Sequence, residues 1–233
     1  MKTKFIISLM MFAITAFAII SCNKQSGDNS KKLLERALKY KDFATAAFAY
    51  NKLLIKDTSN IEYKDSLARI YIRSGNYEGG AMLAEQVLSK NKSEKKLMEL
   101  LGVAYEQLNN TEKSISIFNS LYKTTSDPVY LYKIAAMYFD NTMFEKADSI
   151  ADYMIKNADT SKIININLPN GQSQTVPILA ACYNMKGAIY AEGKSDLNNA
   201  IIYFNKALKI SPDFQYPNMY LERIARYVQQ GGK

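Results

Sequence analysis

Few side chains of this chain could carry out catalysis or bind a metal. Its 233 residues include no histidine, which is the usual general base near neutral pH and the commonest metal ligand. The two cysteines, Cys22 and Cys182, cannot build a metal site unaided. Catalysis by a pair of carboxylates would still be possible, but no pair of acidic residues stands out from those scattered along the chain. We therefore expect neither an enzyme nor a bound cofactor.

Cys22 is the nucleophile whose position indicates a specific reaction. It follows Lys2, Lys4, an uninterrupted apolar run over residues 5–20 and Ser21. A basic start and a short apolar run are typical of an export signal, whereas a membrane-spanning helix needs about 20 apolar residues. An uncleaved membrane anchor that ends at a cysteine by chance is the alternative.

Residues 19–22, Ile-Ile-Ser-Cys, resemble the lipobox of bacterial lipoproteins. That resemblance implies cleavage before Cys22, a diacylglycerol on its thiol and a fatty acid such as palmitate on the new amino terminus. Residues 1–21 would then be a signal peptide, and residues 22–30 a flexible tether from the lipid. Asn23 is not the aspartate that retains enteric lipoproteins in the inner membrane. The outer membrane is therefore the expected location, on either its periplasmic or its surface face.

The net charge gives no indication of nucleic-acid binding. Loss of Lys2 and Lys4 with the signal lowers the formal charge from +8 to +6. The remaining lysines are scattered among acids, with no basic block and no nucleic-acid-binding motif. We expect these charges to form a solvated surface.

A repeated pattern occupies the rest of the chain. Five similar segments start 34, 34, 33 and 53 residues apart, at Phe43, Tyr77, Thr111, Phe144 and Leu197. A second helical pattern precedes most of them, with a small residue three positions before a tyrosine. The small residues are Ala68, Gly102, Ala135 and Gly187, and the tyrosines are Tyr71, Tyr105, Tyr138 and Tyr190. Small residues let two helices cross closely, so the pattern predicts repeated helical pairs.

This pattern resembles the tetratricopeptide repeat, a helix–turn–helix unit of 34 residues. The resemblance implies an all-α superhelical solenoid of about five repeats over residues 31–229, since each unit must stack to bury its apolar face. A generic helical bundle is the alternative. In the first repeat, Leu34 replaces the small residue and Ala37 the tyrosine. The predicted repeats are 27–60, 61–94, 95–127, 128–161 and 180–212, followed by a capping helix over 217–229.

The sequence also predicts where three helices begin and where Cys182 lies. Asp42, Asp127 before Pro128, and Ser195 are the expected starts, because short polar side chains cap free backbone N–H groups. Cys182 lies in the opening helix of the fifth repeat, where a buried small apolar residue is expected.

Residues 160–178 interrupt the period and have the pattern of a β-hairpin. Apolar and polar residues alternate, and Asn170-Gly171 favours a type I′ turn. A two-stranded hairpin is marginally stable alone, so its apolar side chains should rest on the solenoid. Those side chains are Ile164, Ile166, Leu168 and Val176. The segment could be an extended loop without function, an edge of a partner site, or a dimer contact.

In the tetratricopeptide family, partners usually lie on the concave face lined by the first helix of each repeat. Tyr132 and Phe139 are the strongest candidates on this face, because exposed aromatic side chains are enriched at interfaces. The clamp with which some members hold a peptide's terminal carboxylate is not assembled here. The positions carried over to this chain are Arg69, Arg73, Glu106, Tyr132, Phe139 and Asn184.

The anchor and the repeats together predict a membrane-held protein–protein interaction scaffold of the bacterial cell envelope. It would bind a partner protein or peptide, with envelope or outer-membrane assembly as one use of that scaffold. A glycan-binding lipoprotein that serves an outer-membrane transporter is the alternative, although this chain has no tryptophan for sugar stacking and is shorter than such proteins. An enzyme is disfavoured, because no segment outside the repeats is long enough for a catalytic domain.

Overall fold

A computed structural model describes residues 29–91, 94–157, 159 and 161–231. In that part of the chain, consecutive helices pack in pairs and one two-stranded hairpin interrupts them, which confirms the predicted fold class. The chain forms two compact units that divide after Asn110. Cys22 and the predicted signal peptide lie outside the described residues.

Unit 1, residues 1–110, contains five described helices. They are α1 (29–39), α2 (Phe43–Lys56), α3 (Ile61–Arg73), α4 (Tyr77–Lys90) and α5 (Lys95–Gln107). Helix α1 begins two residues inside the segment predicted to be a tether. Close packing of α3 and α4 depends on Gly80, because a Cβ atom there would lie 2.5 Å from Cγ1 of Ile72.

Unit 2, residues 111–233, contains the remaining described elements. They are α6 (Thr111–Thr125), α7 (Pro128–Asp140), α8 (Phe144–Asn157), β1 (Ile163–Asn167), β2 (Ser173–Pro177), α9 (Ile178–Ala188), a π-helical turn (Ile189–Gly193), α10 (Leu197–Ile210) and α11 (Gln215–Gln229). No helix within the described ranges is both long and apolar enough to cross a membrane.

Two of the three predicted helix starts are confirmed, and one is wrong. The Asp42 carboxylate accepts a hydrogen bond from the Thr45 N–H, and Asp127 accepts one from the Val129 N–H. Helix α10 is capped by Asp196 instead of Ser195. Ser195 has a φ of 53°, in the left-handed region, so it forms the bend before the helix and leaves the cap to the next residue.

The hairpin rests on the helices of unit 2, as predicted. Ile164, Leu168 and Val176 are buried, and Ile166 is half-buried. Val176 and Ile164 join one apolar cluster, which the hairpin shares with α8, α9 and α10. Cys182 is buried in the same cluster, in agreement with the sequence prediction, and forms no disulfide with any described residue.

The predicted type I′ turn of the hairpin is wrong. The loop is Pro169-Asn170-Gly171, in which the Gly171 N–H donates to the Leu168 carbonyl and only Gly171 has a positive φ. A type I′ turn at Asn170-Gly171 would pair Pro169 with Gln172, but proline has no N–H to donate. The turn therefore starts one residue earlier, and Leu168 pairs with Gln172 instead.

The last helix begins at Gln215, two residues before its predicted start. Pro217 is buried in its first turn, where the missing N–H group would have no partner within the helix. The apolar side of α11 covers the pair formed by α9 and α10, with Ile224 packed against Phe204 and Ala200.

Candidate protein-binding site

Three of the six candidate residues lie in unit 1. The Arg69 guanidinium forms ion pairs with Asp65 at 2.9 Å and with Glu94 at 3.4 Å, so acids of its own unit balance its charge. Arg73 and Glu106 are exposed near the carboxyl ends of α3 and α5. Nothing in the structure indicates a ligand at these three positions, and their binding role stays a prediction.

The other three candidates lie on α7 and α9 in unit 2. Tyr132 and Phe139 are half-buried, so the expectation that they are exposed is wrong. Both pack against the cluster that contains Met185 and Ile189 of the next repeat, and the Phe139 ring meets Phe144 edge-on at 5.4 Å. Helix α7 is covered by α8 and α9, and the side chains of its inner face fill the space between repeats.

The surroundings of Tyr132 shift the pKa of its hydroxyl. Burial raises the pKa of its hydroxyl above the ordinary value, and the neighbouring Cys182, Tyr216 and Asp140 add to this effect. Burial also raises the pKa of the Asp140 carboxyl. A tyrosine hydroxyl is neutral at physiological pH even without this shift, so the shift leaves Tyr132 a hydrogen-bond donor there.

Asn184 has an unusual hydrogen-bonding state. Its side chain is 8% exposed, and its buried Oδ1 atom accepts no hydrogen bond from any described residue. Leaving such an atom unpaired costs about 1–3 kcal/mol, and buried polar groups in folded proteins are nearly always paired. The Oδ1 atom has almost no accessible surface, so an incoming partner cannot reach it in this conformation, and the binding role of Asn184 stays a prediction.

A groove of about 400 Å³ lies between the hairpin tip and α11. Pro169 of the hairpin loop lines it, and the Tyr216 hydroxyl fixes the hairpin to the helix by donating to the Asn167 carbonyl at 2.9 Å. Tyrosine, methionine and arginine are the residue types enriched at protein interfaces. The lining residues are Pro169, Tyr216, Met219, Tyr220, Glu222, Arg223 and Arg226.

Glu192 connects the groove to α9 through the π-helical turn. Its carboxylate accepts hydrogen bonds from the Tyr220 hydroxyl at 2.7 Å and from the Arg223 guanidinium at 3.0 Å. Burial and the bond to Glu192 raise the pKa of Tyr220. Phe139 of α7 and Tyr220 of α11 also pack against one cluster that includes Ala188. The candidates on α7 and α9 and the groove on α11 thus lie on contacting helices.

An ion-pair network fixes α9 against α8. Lys186, whose side chain is 4% exposed, lies 2.5 Å from Asp148 and 2.8 Å from Asp152, and Lys194 lies 2.6 Å from the other Asp148 oxygen. Burial alone would raise the pKa of Asp148, but the bonds from the two lysines outweigh it and hold that pKa below its ordinary value. The network holds α8 and α9 together, and its two lysines balance the charges of its two aspartates.

Sequence reasoning missed the groove and the lysine network. Helix α11 was interpreted only as a cap, although Tyr220, Arg223 and Arg226 recur at helical spacing and could have indicated a polar–aromatic face. Lys186 gives no local signal, because a lysine in an amphipathic helix is normally solvated. Its acidic partner Asp148 is 38 residues away.

The site contains no recognisable catalytic equipment within the described ranges. No cluster of acidic residues and cysteines there could hold a metal ion. Burial raises the pKa of the Cys182 thiol to about 12, so this cysteine is a thiol and not a nucleophilic thiolate at neutral pH. The groove beside α11 instead presents aromatic, thioether and guanidinium groups together with the carboxylate of Glu222.

Comparisons with known proteins agree with this architecture. Residues 180–214 match the family model of the tetratricopeptide repeat. The chain is similar to the crystal structure of MamA, with a TM-score of 0.59 at 18% identity over 81% of this chain and 93% of that one. MamA from Desulfovibrio magneticus RS-1 gives 0.57 at 11% identity over 80% and 96%.

A third similar structure is YrrB, described as a tetratricopeptide protein with an unusual peptide-binding site. Its TM-score is 0.60 at 15% identity, over 88% of this chain and 97% of that one. At these identities the likeness establishes the tetratricopeptide fold for this chain.

Proposed function

We propose that this chain is a protein–protein interaction scaffold of the bacterial cell envelope. A lipid on Cys22 holds it at the membrane, with the outer membrane as the location, and helices α7, α9 and α11 bind a partner protein or peptide. The groove beside α11 is the observation that carries the binding proposal, because it combines aromatic, thioether and guanidinium groups in one concave surface.

The groove is suited to an apolar side chain next to a carboxylate. Tyr220 is held in place by stacking on Phe204 at 4.7 Å and by its bond to Glu192, so little side-chain freedom is lost on binding. Arg226 provides a guanidinium at the rim, and Met219, which is 43% exposed, provides an adaptable apolar contact.

Two kinds of observation support the scaffold and its anchor. The tetratricopeptide fold is built from stacked repeats that present extended binding surfaces, and the similar YrrB structure is described as having a peptide-binding site. The anchor rests on the sequence alone, through Lys2, Lys4, the apolar run and the lipobox at Cys22. The proposal requires no catalytic step.

Photo-crosslinking in living cells tests the binding surface. A crosslinking amino acid replaces Met219 in the groove, and the matched control replaces Tyr153, which is similarly exposed on α8. We expect a discrete adduct from position 219 that mass spectrometry identifies as one partner, and its loss in the Arg226→Glu variant. Identical adducts from both positions, or none from position 219, would contradict the proposal.

The anchor has a separate test. Mass spectrometry of the amino-terminal peptide should show acyl groups on Cys22, and Cys22→Ser should abolish them and leave the protein unprocessed. An unmodified Cys22 thiol in protein from membranes would rule out the lipid anchor and leave the groove assignment intact.

A further inference from the structure

The helical pair α1–α2 exposes more large apolar side chains than any other pair in the described chain. Thirteen large apolar side chains are exposed in the described residues, and five of them fall within residues 29–56. Their exposed fractions reach 78% at Ile55 and 68% at Tyr40. The five are Leu38, Tyr40, Phe43, Phe48 and Ile55. Exposed apolar patches mark surfaces that contact something else, and Phe48 and Ile55 on α2 are the two of these residues that share one side of a helix.

Packing against the described residues of unit 1 does not account for the apolar side chains of Phe48 and Ile55. They are seven residues apart, so they project in the same direction from α2. The buried side of that helix is formed by Ala46, Ala49 and Leu53, which lie on the opposite side at helical spacing. The exposed stripe formed by Phe48 and Ile55 lies opposite the core and so makes no contribution to its packing.

Positive charge is concentrated on the same pair, although the sequence contains no continuous basic block. Residues 29–56 hold seven basic side chains and only two acids, whereas α3 and α4 hold four of each. The acids are Glu35 and Asp42. The basic residues are Lys31, Lys32, Arg36, Lys39, Lys41, Lys52 and Lys56.

The basic and apolar side chains are interleaved. The Lys52 ammonium lies 4.8 Å from the centre of the Phe48 ring, and the Lys39 ammonium lies 5.9 Å from that of Tyr40. At a bilayer surface such aromatic rings can enter the headgroup region while neighbouring ammonium groups reach the lipid phosphates.

We infer that α1 and α2 lie against an anionic lipid surface, with Phe48 and Ile55 in the boundary between headgroups and acyl chains. This inference rests on the proposed membrane anchor, because α1 begins seven residues after Cys22, a span of at most about 25 Å. The excess of one charge over both helices favours anionic lipid over a protein surface, which would need a matching acidic patch. Two weak signals, a lipid chain and a basic apolar surface, together hold a protein firmly at a membrane.

Tryptophan fluorescence can test this contact, because the natural chain contains no tryptophan. Phe48→Trp places a reporter on α2, and Ile202→Trp is its matched control, since each is the sixth residue of its helix and the two are 54% and 49% exposed. The full-length protein is reconstituted into vesicles of phosphatidylcholine with phosphatidylglycerol, or of phosphatidylcholine alone, with brominated acyl chains as quenchers. Circular dichroism confirms that each variant is folded.

We expect brominated lipid to reduce the emission of the Phe48→Trp variant roughly twofold in vesicles with phosphatidylglycerol and to leave that of the Ile202→Trp variant unchanged. Adding Lys39→Glu and Lys52→Glu should remove the quenching while the protein still floats with the vesicles. Flotation reports on the anchor and quenching reports on α2, so the two proposals fail separately. Absence of quenching in the Phe48→Trp variant overturns the inference whether or not the protein floats. A concentration-dependent blue shift without lipid would assign the surface to a second copy of the chain instead.

Discussion

The first helical pair, α1–α2, and the fifth, α9–α10, have the same helix–turn–helix architecture. They differ in how much of each pair is buried by the rest of the protein. Nine of the eleven residues of α9 are buried, whereas four of the fourteen residues of α2 are buried. Helix α9 contacts α7, α8, α10 and α11, so nearly every side of it faces protein. Helix α2 has a wide exposed side with apolar residues on it.

This difference in burial follows the completeness of the repeat pattern in the two pairs. In the fifth pair the pattern is complete, with Gly187 at the small position and Tyr190 three residues later, and residues 180–214 match the family model. In the first pair, Leu34 and Ala37 occupy those positions. A helical pair that is packed on all sides requires the small residue and the tyrosine of the repeat pattern. A pair with one exposed side tolerates other residues at these positions, and its exposed side can contact another molecule.

The largest expected effect is at the helix crossing of the fifth pair. A Cβ atom on Gly187 would lie 2.5 Å from two atoms of the Phe204 ring, so Gly187→Leu must displace a fully buried side chain. We expect the free energy of unfolding to fall by about 3 kcal/mol, measured by urea denaturation. Ala44→Leu on the exposed side of α2 is the control and should change little. Equal effects of the two substitutions would refute the contrast between the pairs.

A smaller loss is expected when the buried lysine is removed. Lys186→Met keeps the volume but leaves Asp148 with one lysine instead of two, and we expect a loss of about 2–3 kcal/mol in the same assay. Lys206→Met is the control, because the Lys206 ammonium lies 4.7 Å from the same Tyr203 ring that Lys186 approaches at 5.4 Å. Removal of that exposed cation–π contact should cost less than about 1 kcal/mol.

The pH dependence of stability separates the charge network from simple packing. The pKa of Asp148 is lowered in the fold, so its contribution is present above pH 3.8 and is lost as the pH falls through the folded pKa. The pKa values of Lys186 and Lys194 are raised, because their bonds to Asp148 outweigh burial, so their contribution is lost only as the pH rises above 10.5. Lys186→Met should make the free energy of unfolding depend less on pH in both the acidic and the alkaline range. An unchanged pH profile would mean that the lysine acts through packing alone.

The smallest expected effect is on the exposed stripe of α2. Phe48→Gln and Ile55→Gln should each change the free energy of unfolding by less than about 0.5 kcal/mol, because neither side chain contributes to the core. Leu53→Ala, on the buried side of the same helix, should cost about 3 kcal/mol. A large loss at Phe48 would show that the stripe is covered within the protein, and would remove the contrast with α9.

The sequence by itself determined the repeat and its small crossing residues. It also determined the hairpin with its buried side, because Ile164 and Val176 alternate with polar residues in a way that only one buried face explains. These features are local: helical or strand periodicity records which side of an element meets protein. The concentration of basic residues around α2 was equally present in the sequence, and counting charges by helical pair would have revealed it.

Only the tertiary structure decided which side chains meet across the sequence. It paired Lys186 with Asp148, and it placed Pro169 beside Tyr220 to form the groove. It also half-buried Tyr132 and Phe139, which repeat position alone had marked as exposed. The physical reason is that the periodicity of a helix or strand shows which of its sides is buried. Ion pairs and grooves depend instead on which other elements pack against that side. That choice is made by the packing of the whole unit, through contacts that no short segment encodes.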